Sequence, residues 1–326
     1  MAEFKRINYF KTLFMKQSDL EQYYRDLREY QYDNNQQYKH IELRKKLNPV
    51  LKQLLRIERK LDKQQLTIMK DNHQKTDKPK IYAVTHVGRY DIEDALASID
   101  SSAFFLMGDP RDTYKSIDYL FLKANGVIMF DTDNNIDRHI AKENCVKVLK
   151  SGGNILMFPE GAWNITENKP VMQLFNGAVE MAIRCNAEII PIAIETYDNN
   201  YYANIGHNIN YEDKSLLDVD FLNKELRDNM ASLKWDIWES IGQPISRAKM
   251  DEHEDQKYID GIMRLTENGY TVDEIERTRY HDRVPEREKA QEYLADIELN
   301  KNNSFLYDDL TVAERKVLTK NLIKRH

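Results

Sequence analysis

The chain has 326 residues, of which 41% are hydrophobic and 31% are charged, and this composition is typical of a folded protein rather than a disordered or membrane-spanning one. Its 48 basic and 54 acidic residues leave a formal net charge of −6, which provides no basic surface for nucleic acid and excludes that partner. Two cysteines are too few for a disulfide framework or a cysteine-based zinc site, which suits a reducing cytoplasm.

Residues 1–75 are predicted to form a helical N-terminal segment, because apolar residues recur at helical spacing between positions 43 and 61. The opening residues lack the apolar core and cleavage site of a secretion signal, so we expect a cytoplasmic protein. Near the start, four apolar residues at helical spacing lie among basic ones: Phe4, Ile7, Phe10 and Phe14. This pattern fits a helix in an anionic membrane interface and fits equally an amphipathic helix docked on the protein's own core.

Short apolar runs alternate with helical patterns over residues 76–250, which we interpret as the catalytic domain. The runs are too short for ordinary helices and predict strands at 81–84, 103–107, 126–130, 155–158 and 189–194. Crossover helices are predicted between them, most clearly over 136–150 and about 174–186. We therefore predict an α/β fold, with a mixed central sheet flanked by helices.

Residues 251–326 have a polar, helical pattern and are predicted to form a helical C-terminal extension. Two capping-box patterns mark expected helix starts there, at Thr271 to Glu274 and at Thr311 to Glu314. No residues of catalytic character stand out in this extension.

A histidine and an aspartate follow the first predicted strand, in the run Thr85-His86-Val87-Gly88-Arg89-Tyr90-Asp91. If the chain turns back between them, Asp91 can accept a hydrogen bond from one ring nitrogen of His86 and leave the other to take a proton from a substrate hydroxyl. On a regular helix the two side chains would lie apart, so the pairing requires a loop or a helix start. The plainer alternative is a strand-end histidine followed by an aspartate that caps a helix.

A second polar stretch, Phe158-Pro159-Glu160-Gly161, directly follows another predicted strand. Together the two stretches resemble the first and third blocks of the glycerolipid (lysophospholipid) acyltransferase family: a His and an Asp separated by four residues, the HX4D motif, and Phe-Pro-Glu-Gly-Thr-Arg. The second block is matched by Gly126 to Thr132, and the fourth, an apolar strand with an internal proline, by Ile189 to Ile194. Leu174 to Ala178 is similar to the segment that opens the family's next helix.

The resemblance implies an O-acyltransferase of phospholipid biosynthesis that moves a fatty acyl group from acyl-CoA or acyl carrier protein, as co-substrate, to a lipid hydroxyl. His86 would be the general base and Asp91 its orienting partner, without a metal or redox cofactor. Glu160 would hold an acceptor hydroxyl, and Gly161 would admit substrate close to the backbone. The expected substrate-binding residues are Phe158, Pro159, Glu160, Gly161, Trp163, Asp131, Thr132 and Arg89.

Two departures from the family pattern bear on the acceptor. The arginines that hold the acceptor phosphate at the ends of the second and third blocks are replaced by Thr132 and Trp163, although Arg89, Arg111 and Arg138 are near in sequence. The acceptor is therefore either a lysophospholipid such as 1-acyl-glycerol-3-phosphate or a non-phospholipid such as a glycolipid or polysaccharide precursor.

A degenerate family member that only binds lipid is the remaining alternative, whereas an α/β hydrolase lacks its Gly-x-Ser-x-Gly elbow. An enzyme that handles lipid without a membrane span needs a route to its substrate. We therefore expect peripheral attachment to the inner face of the membrane.

Overall fold

A computed structural model of the protein describes residues 4–34, 41–88, 90–108, 113–116, 118–166, 169–197, 199–242, 249, 253–264 and 270–280. Its strands are β1 (Gln65–Asp71), β2 (Lys80–Val84), β3 (Phe104–Gly108), β4 (Val127–Phe130), β5 (Ile155–Met157), β6 (Glu188–Tyr197), β7 (Asn200–Ile205) and β8 (Ile209–Asn210). Its helices are α1 (Tyr9–Thr12), α2 (Gln17–Asp33), α3 (Ile41–Leu61), α4 (Asp91–Ser98), α5 (Asp118–Asn125), α6 (Asn135–Lys150), α7 (Gly177–Cys185), α8 (Val219–Ile241), α9 (Glu254–Arg264) and α10 (Val272–Thr278).

The strands form one sheet in the order β1-β7-β6-β2-β5-β3-β4, and β8 pairs with β6. The block from β6 to β4 is parallel, whereas β7 and β8 run antiparallel to β6. All five predicted apolar runs are strands of the parallel block, and the two predicted crossovers are α6 and α7. The predicted fold class, a mixed α/β sheet flanked by helices, is confirmed.

Successive side chains along each strand point to opposite faces of the sheet, so the core has two parts, one on each face. On β2, Ile81 and Ala83 pack on the side that α6, α7 and α8 cover. Tyr82 and Val84 point to the other side, which helices from α2 to α5 cover. Because both faces of the sheet are buried, the sequences of the parallel strands are continuous apolar runs. Their carboxyl ends meet at one edge of the sheet, where the loops after β2, β4 and β5 lie together.

The prediction of residues 1–75 as one helical segment is wrong at its end, because β1 lies within it. This strand pairs in parallel with β7 at the margin of the sheet. It is half exposed and carries polar residues among its apolar ones, so it lacks the continuous apolar run that marks the buried strands. The other boundaries remain predictions. The capping box at Thr271 is present on α10, whereas the one predicted at Thr311 lies outside the described residues.

The apolar residues near the N-terminus do not lie on one amphipathic helix. The helix α1 has only four residues, and the ring of Phe4 stacks on Tyr30 at a centroid distance of 5.3 Å. Phe10 and Phe14 are exposed. This stretch therefore packs partly on the protein itself. Among the helices that the structure describes, none is both long and apolar enough to cross a membrane.

The helix α2 is joined to the β4 side of the sheet by a buried ion pair. The guanidinium of Arg28 makes a two-point contact with Asp137 of α6, at 2.9 and 2.5 Å. Asp137 is almost completely buried, and one of its oxygens also accepts a hydrogen bond from the backbone N–H of Asp131. Beside this pair, the rings of Tyr24 and Tyr114 stack at 4.0 Å. The N-terminal helices are thus integral to the fold.

We expect Arg28→Ala to lower the free energy of unfolding by about 3 kcal/mol, because it leaves the Asp137 carboxylate buried without its cation. Urea denaturation followed by circular dichroism measures the change. Lys45→Ala, which removes one partner of an exposed pair with Glu42, is the control and should change stability by less than about 0.5 kcal/mol. Equal effects of the two substitutions would contradict a structural role for the buried pair.

Candidate active site

The loop after β2 presents His86 at the carboxyl edge of the sheet, and hydrogen bonds fix its backbone on both sides. Before it, the buried Thr85 hydroxyl donates to the carbonyl of Ile194 and accepts from its N–H, at 3.1 and 2.8 Å. The N–H of His86 donates to Glu160 Oε1 at 3.0 Å, and its carbonyl accepts from the N–H of Asn164 at 2.9 Å. The histidine therefore has one defined position between β6 and the loop after β5.

The side chains of His86 and Asp91 form the predicted pair. Nδ1 of the imidazole lies 2.6 Å from Asp91 Oδ2. The same oxygen accepts hydrogen bonds from the backbone N–H groups of Val87 and Gly88, at 2.9 and 3.2 Å. Asp91 is the first residue of α4, so the chain turns back between the two residues instead of continuing as a helix, and the positive φ of Gly88, 153°, suits glycine.

This arrangement specifies how the imidazole can act. With Asp91 accepting a hydrogen bond from Nδ1–H, the lone pair of the neutral ring is on Nε2. Among the residues that the structure describes, no group hydrogen-bonds to Nε2, and the side chain of His86 keeps 19% of its surface exposed. Nε2 can therefore accept a proton from a bound hydroxyl.

Aromatic rings hold the imidazole in this orientation. Phe158 stacks on His86 at a centroid distance of 4.4 Å and an interplanar angle of 19°. Trp163 meets the ring edge-on at 5.8 Å, and Tyr270 packs against Trp163 at 5.7 Å. The indole Nε1 of Trp163 is buried without a hydrogen-bond partner among the described residues. The predicted substrate-binding residues Phe158 and Trp163 thus contact His86 itself.

Glu160 does not have the predicted place in an acceptor groove. Its side chain is completely buried, and its two oxygens accept hydrogen bonds from the backbone N–H groups of His86 and Met172, at 3.0 and 2.8 Å. Burial raises the pKa of Glu160 above its usual range, although Lys234 and the two N–H donors oppose the shift. The correction is that Glu160 lies behind His86 and positions it. The family motif alone did not indicate this because burial is a tertiary property.

Pro159 and Gly161 shape the turn in which Glu160 lies. The carbonyl of Pro159 accepts a hydrogen bond from the N–H of Phe175 at 2.8 Å. Gly161 has a φ of 74°, and a Cβ at this position would clash with the ring of Phe175. Phe175 therefore fills the space that the sequence interpretation gave to substrate. Gly161 is required there by the backbone conformation and by the packing of this ring.

Asp131 and Thr132 lie apart from the pair, at the end of β4. Three strand spacings separate β4 from β2, which is about 14 Å across the sheet. Asp131 is bound by Arg25 of α2, whose Nη2 lies 2.5 Å from Oδ2. Sequence reasoning did not identify Arg25, because the two residues are 106 positions apart. Arg138, which is near in sequence, is exposed on α6.

The remaining two arginines, Arg89 and Arg111, lie outside the described residues.

Comparison with known proteins identifies the domain. Residues 65–195 match the model of the family described as Acyltransferase. The chain carries an acyltransferase domain. The match begins at the first residue of β1 and includes His86, Asp91 and Glu160, so the predicted family and the prediction of an acyltransferase enzyme are confirmed.

Among curated proteins no match to this acyltransferase is found, whereas several solved structures match it. A similar solved structure is the crystal structure of the 1-acyl-sn-glycerophosphate (LPA) acyltransferase, PlsC, from Thermotoga maritima. Its TM-score is 0.49 at 11% sequence identity, and the alignment covers 73% of this chain and 88% of that one.

We expect Glu160→Gln to lower kcat of acyl transfer about 10²-fold with little change in KM, because the amide NH₂ would face a backbone N–H and displace His86. Glu188→Gln is the matched control: Glu188 is also a buried acceptor, bound to Thr76 and Asn208, but it begins β6 at the opposite edge of the sheet. Thermal melting should shift similarly in both variants. A kcat that falls equally in both would contradict the positioning role.

Proposed function

We propose that the protein transfers a fatty acyl group from acyl-CoA or acyl carrier protein to a hydroxyl of a lysophospholipid such as 1-acyl-glycerol-3-phosphate. The observation that carries the proposal is the 2.6 Å contact between His86 Nδ1 and Asp91 Oδ2 inside an acyltransferase domain. A protein that only binds lipid has no use for a base held in this way, which weighs against the degenerate alternative.

In the proposed reaction, His86 Nε2 takes the proton of the acceptor hydroxyl as its oxygen attacks the thioester carbonyl. Asp91 stabilises the imidazolium that forms. The tetrahedral oxyanion then collapses, the carbon–sulfur bond breaks, and the departing sulfur receives the proton from the imidazolium. The products are an ester and a free thiol, and the histidine returns to its neutral form.

We predict that His86→Ala abolishes acceptor-dependent thiol release and that Asp91→Asn lowers kcat by about 10³-fold or more, since the asparagine no longer holds the required tautomer. Release of free thiol from long-chain acyl-CoA and acyl carrier protein is measured with a panel of lysophospholipids and with total membrane lipid. His207→Ala, at an exposed histidine after β7, is the control. No release above background by folded wild type with any pair would favour the lipid-binding alternative.

The class of acceptor depends on what replaces the missing arginines. At the end of β4, beside Thr132, the guanidinium of Arg25 is partly exposed and can exchange its contact with Asp131 for an acceptor phosphate. At the end of the third block, Trp163 presents an aromatic ring next to His86, which suits the apolar face of a sugar. The first feature supports a lysophospholipid acceptor and the second supports a glycolipid or polysaccharide precursor.

We expect Arg25→Gln to raise KM about tenfold for a lysophosphatidate acceptor, because the variant loses a charge-assisted contact with the phosphate. KM for an uncharged monoacyl acceptor should not change. Steady-state thiol release measures both, with Arg138→Gln as the control at an exposed arginine on α6. If KM for both acceptors stays at the wild-type value, the phosphate contact is wrong and the non-phospholipid acceptor becomes the better proposal.

A further inference from the structure

A buried lysine lies among the core-facing residues of α8. The buried residues of this helix recur at helical spacing, as on a helix that packs on a sheet. They are Val219, Leu222, Asn223, Leu226, Met230, Lys234 and Ile237. Only 2% of Lys234 is exposed. Because a buried ammonium is costly unless it faces an anion, we looked for the carboxylates around it.

Two buried carboxylates face Lys234. On β6, Glu195 Oε2 lies 3.4 Å from its Nζ and also accepts a hydrogen bond from the indole Nε1 of Trp238 at 2.5 Å. The second carboxylate is Glu160, behind the active site. Burial raises the pKa of Glu160, and the ammonium of Lys234 is the strongest of the opposing influences, ahead of the two backbone N–H groups. A single cation therefore stabilises the charge of both carboxylates.

The sheet brings these groups to the edge that holds the catalytic pair. Near the end of β6, Ile194 is bonded through its backbone to Thr85, the residue before His86. Side chains alternate along this strand, so Ile194 packs on the side of α2 to α5 and Glu195 points to the side that α8 covers. Lys234 therefore reaches the carboxyl edge of the sheet from α8.

The hydrogen bonds of Glu160 suit its ionised form. One oxygen accepts from the N–H of His86 at 3.0 Å and the other from the N–H of Met172 at 2.8 Å. A proton on either oxygen would turn that acceptor into a donor, and one N–H would lose its partner. Among the described residues, the charged or titratable groups that face Glu160 are Lys234 from α8 and His86 from the loop after β2.

We propose that Lys234 is a positioning residue for acyl transfer: its ammonium keeps Glu160 ionised, and the ionised carboxylate holds the backbone of His86. The proposal rests on the proposed function, in which His86 is the base. Because Lys234 is buried, it acts through Glu160 and not on a substrate. It lies outside residues 65–195, which match the family model, so the family motifs do not point to it.

The alternative is that Lys234 only fastens α8 to β6 through Glu195. Glu195→Gln separates the two roles, because it breaks the same ion pair but leaves the ammonium of Lys234 facing Glu160. Lys234→Met removes the ammonium and keeps an unbranched side chain that suits an apolar environment. Lys234→Met/Glu195→Gln removes both charges, so it leaves no unpaired carboxylate on β6 and serves as the test variant if Lys234→Met is unstable.

The first measurement is the ratio of kcat in each variant to kcat in wild type, by thiol release. In Lys234→Met we expect this ratio to be about one tenth at about pH 6 and to return to within about twofold of unity at about pH 9, because raising the pH restores the charge of Glu160. KM should change little. Glu195→Gln should keep a ratio near unity throughout. A loss in Lys234→Met that is the same at every pH, or an equal loss in Glu195→Gln, would overturn the proposal.

The second measurement needs no catalysis, so failure of the proposed reaction leaves it readable. The backbone amide signals of His86 and Met172 are followed by NMR through a pH titration, because both N–H groups donate to Glu160. In Lys234→Met the two signals should move together, with a midpoint about one pH unit or more above that of wild type. Glu195→Gln should titrate as wild type does. Midpoints that coincide in wild type and Lys234→Met would overturn the proposal, whatever the kinetic result.

Discussion

The active site depends on a single carboxylate oxygen. Oδ2 of Asp91 accepts hydrogen bonds from the imidazole of His86 and from the backbone N–H groups of Val87 and Gly88. The two backbone bonds close the turn between β2 and α4, and that turn brings the aspartate to the histidine. Turn and catalytic pair therefore form together. A second buried carboxylate, Glu160, holds the backbone of the same histidine from the other side.

The parts of the fold that could be predicted from the sequence are those with a local signal. Strands β2 to β6 are buried on both faces, so each is a short apolar run between longer helical patterns. The strand β1 lies at the margin and is half exposed, and its mixed polar and apolar residues gave no such signal. The His86 and Asp91 pair was predictable because both residues fall within one turn. The burial of Glu160 was not predictable, since the sequence around a glutamate that follows a strand does not show whether its side chain faces solvent or the core.

Contacts between residues that are far apart in the chain could not be predicted from the sequence. Arg25 and Asp131 are 106 residues apart, and neither residue predicts the other. The helix α3 was predictable from its helical spacing of apolar residues. These residues lie on more than one side of the helix, so the sequence does not show which side packs on the sheet. Burial of Leu55 and the ion pair of Arg59 with Asp94 decide it.

The two altered motif positions lie differently with respect to the catalytic histidine. His86, Asp91, Phe158 and Glu160 keep the family motifs, and in the structure they form one packed unit around the imidazole. Thr132 and Trp163 depart from the motifs, Thr132 beyond the end of β4 and Trp163 against the imidazole. Changing the unit would disturb the base, because each member positions another. Thr132 lies outside this unit at the end of β4, whereas Trp163 contacts the imidazole edge-on, so only a change at Thr132 leaves the packing around the base untouched.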